Sequence, residues 1–211
     1  MMEAIRNCLS YAGTQYRHPD KAGDEREKML ALRHKGQEAR KAFTGLAKAF
    51  QEKHPEWQLQ QTSQWMNQAQ RLRPHFWVYL QRDGQVTEPM MALRLYGSPS
   101  DFGISLEVSF IERKKDEQTL GKQVKVLEIP TVKGIYYLAY SNGQSQRWEA
   151  NEENRRTLRE KVRSQEIRKV LVKTDVSVTA NSSEEEIVEG LLKSYAKILP
   201  YYLATRKLDN P

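Results

Sequence analysis

The sequence predicts an α+β fold: a mainly antiparallel sheet of hairpin-linked strands, with helices from both chain ends packed on one face. Three observations predict it. Helical apolar spacing is concentrated near the two ends, the middle alternates apolar with polar residues between turn dipeptides, and the strand-then-helix alternation of a doubly wound fold is missing.

Met1 to Tyr16 reads as a short helix, because Ala4, Ile5, Cys8, Leu9 and Ala12 recur along one face before Gly13 and His18-Pro19 interrupt it. A longer helical pattern runs from Asp24 to Lys53, with Leu32, Ala39, Phe43, Leu46 and Phe50 forming one narrow apolar stripe. Gly36 and Gly45 each weaken it by about 1 kcal/mol relative to Ala. His54-Pro55 ends it, since the residue before proline avoids helical geometry. Trp57 to Gln70 is rich in Gln, has no clear period, and reads as a transition segment.

Strand character begins at Phe76-Trp77-Val78-Tyr79-Leu80, and Asp83-Gly84 then supplies a tight-turn dipeptide. Pro89 interrupts the return strand, in which Met91, Leu93 and Leu95 alternate with Ala92, Arg94 and Tyr96. Gly97 to Asp101 makes another turn. Ile104, Leu106, Val108 and Phe110 then point one way and Ser105, Glu107 and Ser109 the other, which predicts one core face and one wet face. Thr119 to Ile129 fits helix or strand equally. Asn142-Gly143, between Ile135–Tyr140 and Gln144–Trp148, suits a two-residue hairpin turn. Asn151 caps a helix continuing to about Ser164, Ile167 to Val172 reads as a strand, and Ser183 with Glu186 has capping-box spacing. The last helix buries Ile187, Leu191, Tyr195 and Ile198 and is expected to end near Pro200. In domain terms, residues 1–55 form a helical region and residues 56–211 a sheet-containing part with the C-terminal helix, the two making one compact unit.

Composition bounds the function. The chain has 211 residues, 34 Lys+Arg and 27 Asp+Glu, for a net charge of +7, which favours anionic partners. No segment approaches the roughly 20 apolar residues of a bilayer-crossing helix, and Met1 to Cys8 lacks the apolar core of a secretory signal, so no membrane partner and a cytoplasmic location are expected. Cys8 is the single cysteine, so neither an internal disulfide nor a thiolate zinc site is expected. His18, His34, His54 and His75 lack the spacing that puts two imidazoles on one helical face. Gly-x-Ser-x-Gly, Walker and dinucleotide spacings are absent, and no cofactor is expected.

Pro99-Ser100-Asp101 followed by Glu112-Arg113-Lys114 is superficially similar to the PD-(D/E)xK pattern of metal-dependent nucleases. In one continuous strand, however, Asp101 and Glu112 stand roughly 36 Å apart, too far to share an ion. A divergent nuclease using Asp101, Glu107 or Glu112 with Lys114 is therefore an alternative reading and not the leading one.

The basic residues are more coherent. Arg155, Arg159 and Arg163 recur every fourth position on the helix after Asn151, and Arg156, Lys161, Arg168 and Lys169 enlarge the patch. Such a row contacts successive phosphates, and Tyr136, Tyr137, Tyr140 and Trp148 add stacking surfaces if they face outward. Glu152, Glu153, Glu160 and Glu166 are interleaved and can neutralise it locally. The leading expectation is a non-catalytic binding protein whose basic face, centred on Arg155, Arg156, Arg159, Arg163, Arg168 and Lys169, takes nucleic acid or another polyanion. The alternative from a different class is a regulatory module that assembles through the stripe of the long helix, as a homo-oligomer or with a protein partner.

Overall fold

The two N-terminal amphipathic segments become α1 (Met2–Leu9) and α2 (Arg26–Glu52) in the computed structural model, which describes residues 2–82, 84–179 and 181–206. α2 stops short of His54-Pro55, as the proline requires. Its whole stripe, Leu32, Ala39, Phe43, Leu46 and Phe50, is buried in the chain's own core, so the surface offered to a partner helix is already occupied. Both α1 and α2 share that core with the sheet.

Gly36 is needed on α2 for a packing reason. The Trp65 indole lies against the helix there, and a Cβ at Gly36 would stand 2.5 Å from Trp65 Cε3. Gly36→Ala therefore gains about 1 kcal/mol of helix propensity and loses about 1–3 kcal/mol to overpacking. A net loss of stability is expected in urea unfolding. At Gly121, on the helix α3 (Glu117–Val124), a Cβ meets nothing within 4 Å, so Gly121→Ala should stabilise by about 1 kcal/mol.

Seven strands follow: β1 (Gln58–Leu59), β2 (Trp77–Gln81), β3 (Met90–Ser98), β4 (Asp101–Ser109), β5 (Tyr136–Ser141), β6 (Gln144–Glu149) and β7 (Lys169–Val178). They form one sheet in the order β1-β2-β3-β4-β7-β5-β6, with every pairing antiparallel. Asn142 (φ +49°) and Gly143 (φ +76°) make the predicted turn between β5 and β6. The β2–β3 link is longer than the tight turn read at Asp83-Gly84, of which Asp83 lies outside the described residues. Side chains from elsewhere hold it: the Thr119 hydroxyl donates to the Thr87 carbonyl, and Lys122 and Arg206 pair with Glu88.

α3 and a 3₁₀ turn (Lys125–Glu128) settle the ambiguous segment as helical, with Asp116 and Thr119 closing a capping box. Asn151 caps α4 (Glu152–Arg163) and Ser183 with Glu186 caps α5 (Glu184–Thr205), both as predicted. α5 continues past Pro200, contrary to expectation. Burial of Tyr201, Tyr202, Ala204 and Thr205 outweighs the lost N–H, and the Tyr201 hydroxyl donates to the Pro130 carbonyl. β7 also outruns its predicted end at Val172, because Lys173, Asp175 and Ser177 disguise a strand as a polar stretch.

The register separates two faces. Leu80, Met91, Val108, Val172, Tyr137 and Trp148 lie in one row across the sheet, in or against the core shared with the helices. Tyr79, Ala92, Glu107, Lys173, Tyr136 and Glu149 form the neighbouring row on the opposite face. That second face carries the candidate site.

Candidate nucleic-acid interface

The face of β4 read as wet is not wet. Ser105 and Glu107 are fully buried and Ser109 nearly so. Phe110 also departs from expectation: past the end of β4 it leaves the main core and packs with Leu120, Leu171, Leu138 and Tyr140 in a small separate cluster.

Glu107 is held by two cations. Arg94 donates from Nε to Oε1 at 3.1 Å and places Nη2 at 3.1 Å from the same oxygen, while Lys173 Nζ lies 2.8 Å from Oε2. The register explains the meeting, since Glu107 stands directly opposite Lys173 and Arg94 is two residues along β3 from Ala92, the partner of Glu107. Burial pushes the Glu107 carboxyl up, but Arg94 and Lys173 together outweigh it and hold it below its ordinary value. The carboxylate is thus ionised at neutral pH, and Arg94 keeps N–H groups to spare at the surface.

Around this triad the sheet face is hollowed into a cleft of about 530 Å³, walled by Tyr79, Tyr140, Phe110 and His75, with Arg94, Lys173 and Lys169 as its cations. Lys169 Nζ lies 3.6 Å from the Tyr140 ring centroid and pairs with Glu112. At Tyr79 the cleft meets a larger hollow of about 900 Å³, lined by Trp77, Arg73, Arg113 and the segment 60–69 apart from Trp65. The Arg73 and Arg94 guanidinium carbons stand 4.8 and 5.4 Å from the Trp77 ring centroid. At Glu112, Tyr140 and Lys169 the cleft meets a third hollow, which adds Lys115, Glu166 and Arg168. The three hollows adjoin at these shared residues, and the row of them, called the groove below, is lined by seven lysines and arginines and three carboxylates. His75 reports the resulting field: burial first, then Arg94, Arg73 and Lys173, push its pKa below the ordinary value against the single opposing charge of Glu107.

The residues singled out from sequence divide. Lys169 and Arg168 line the groove, with Arg168 3.2 Å from Glu117. Arg155 is a strut: it binds Glu152 at 2.8 and 2.6 Å and donates to the Leu127 carbonyl at 2.9 Å. Glu152 is held down to about 2, first by the Thr131 N–H and then by Arg155. Lys161 pairs with Glu166. Arg156, Arg159 and Arg163 are exposed on α4 and make no ion pair among the described residues. Of the aromatic quartet, Tyr137 and Trp148 pack with the main core, Tyr136 lies under Arg147 and donates to Asp175 at 2.9 Å, and Tyr140 alone reaches the groove.

The acidic constellation does not converge. Asp101 opens β4 and Glu112 lies beyond its other end, while Glu107 between them is bound by Arg94 and Lys173. The described residues hold no group of three metal-ligating side chains. Sequence reasoning missed Trp77, Tyr79, Arg94 and Lys173 as site residues. Their alternation within single strands was visible, but their assembly depends on strand order, which places β7 beside β4. Among the described residues no helix is long and apolar enough to cross a membrane.

The fold and its hollows define a single-sheet α+β protein whose face opposite the main core is recessed and lined by cations and aromatic rings, with Leu120 of α3 packed at its border. No protein-family model and no curated protein sequence matches the chain.

Proposed function

We propose that the protein is a non-catalytic binding protein that takes single-stranded nucleic acid along this groove. The observation that supports the reading is the convergence of cations and partly exposed rings on one recessed path: Arg113 and Arg73 beside Trp77, Arg94 and Lys173 beside Tyr79, Lys169 beside Tyr140. Phosphates need the cations, and unpaired bases offer a π-face to the rings. A duplex keeps its bases stacked and cannot use those rings, so single strands are the better fit.

The test is fluorescence anisotropy with a labelled 12-nucleotide single strand, the matching duplex, and heparin as competitor. A single strand contacting about four phosphates should give a slope of log K against log[salt] of about −3. It should bind more tightly than the duplex, and tryptophan emission should be partly quenched on saturation, with the quench lost in Trp77→Phe. Equal affinity for duplex and single strand would overturn the reading, as would complete displacement by heparin with no change in tryptophan emission.

A further inference from the structure

The groove reading does not use the Gln-rich segment, although that segment forms one wall of the Trp77 hollow. Gln61, Gln64 and Gln68 line it, are exposed, and make no side-chain hydrogen bond to any described residue. The backbone that carries them is firmly tied. Gln60 N–H donates to the Tyr79 carbonyl at 2.8 Å and Ser63 N–H to the Trp77 carbonyl at 2.9 Å. Arg40 clamps the carbonyls of Thr62 and Ser63 at 2.9 and 3.0 Å, the Thr44 hydroxyl donates to Thr62 Oγ1 at 2.9 Å, and buried Trp65 anchors the loop on Gly36. The backbone is fixed beside the Trp77 ring, and the amides it carries are unclaimed by the described residues, which leaves paired donors and acceptors available to a ligand.

We propose that this amide wall reads base identity in the single strand, with adenine preferred. The proposal rests on the groove reading above. A primary amide donates and accepts through adjacent atoms, which matches the neighbouring amino group and ring nitrogen of adenine. Uracil offers a donor beside an acceptor only on its Watson–Crick edge, around N3–H, whereas adenine shows such a pair on two edges, N6 with N1 and N6 with N7, and brings a purine-sized surface to stack on Trp77. The cations in the rest of the groove meet phosphates, which carry no sequence information. Affinity and selectivity are therefore assigned to different residues.

The experiment compares (rA)₁₂ and (rU)₁₂ binding to the full chain and to the triple variant Gln61→Ala, Gln64→Ala, Gln68→Ala, with salt slopes measured for both. All three positions are exposed, and a thermal melt matching the wild type verifies folding of the variant. The expected result is about tenfold tighter binding of (rA)₁₂ by the wild type. In the variant that ratio should fall to near one, with the salt slope unchanged. If the wild type binds both strands equally, or the variant keeps the tenfold ratio, the amide wall is not the reader and the proposal fails while the groove reading stands. If neither strand binds, the groove reading itself fails and this proposal with it.

Discussion

Glu107→Gln is expected to lose about 3–5 kcal/mol of folding stability, because it leaves two cations without their shared counter-charge. Lys173 is only 7% exposed and cannot recover that loss from water, while Arg94, at 25%, recovers part of it. For a chain of this size the loss corresponds to a melting temperature lower by roughly 6–20 °C. Guanidinium unfolding at pH 7 measures it, and a change below about 1 kcal/mol would show that the triad is not a major determinant of the fold. A second variant separates unpaired charge from lost packing. Replacing all three groups together, with Glu107→Leu, Arg94→Met and Lys173→Met, should recover most of the stability, since it removes the charges as a set.

The same carboxylate sets an acid limit. Its folded-state pKa lies below the ordinary 4.5, so its contribution is fully present above that value and is lost as the pH falls through the depressed folded value. The gap in stability between the wild type and Glu107→Gln should therefore be constant near neutrality and shrink in strong acid.

Removing groove cations outside the triad should cost about thirtyfold in affinity for a single strand, or about 2 kcal/mol. Arg113→Gln, Arg168→Gln and Lys169→Gln together remove up to three phosphate contacts, one from the Trp77 hollow and two from the Tyr140 end. The salt slope should become shallower by about 2. The control is the set on α4, Arg156→Gln, Arg159→Gln and Arg163→Gln, which removes the same formal charge from exposed positions away from the three hollows. Less than threefold loss is expected there. The reverse order of effects would move the polyanion-binding face to α4, where sequence spacing alone places it. Both sets carry the same net charge, so long-range attraction cannot explain a difference between them.

What could be read before folding was whatever depends on near neighbours. The stripe from Leu32 to Phe50, the Asn142-Gly143 turn, the caps at Asn151 and Ser183, and the alternation of β3 and β4 are all local and periodic, and all are present in the structure. Failures were those where distant residues outweigh local preference. α5 runs through Pro200 because Tyr201 and Tyr202 are buried, and Gly36 is kept on a helix because Trp65, 29 positions later, lies on it.

The site belongs to the same division. Each strand's alternation already gave Arg94 and Tyr96, or Glu107 and Ser109, to one face, and from the sequence alone the Glu107 face of β4 reads as solvated. Only the pairing of β4 with β7 brings Lys173 against Glu107 and joins them with the half-buried Arg94 into an ion triad at the floor of a groove. Strand order is decided by how the whole apolar surface packs, and no window along the chain contains that information.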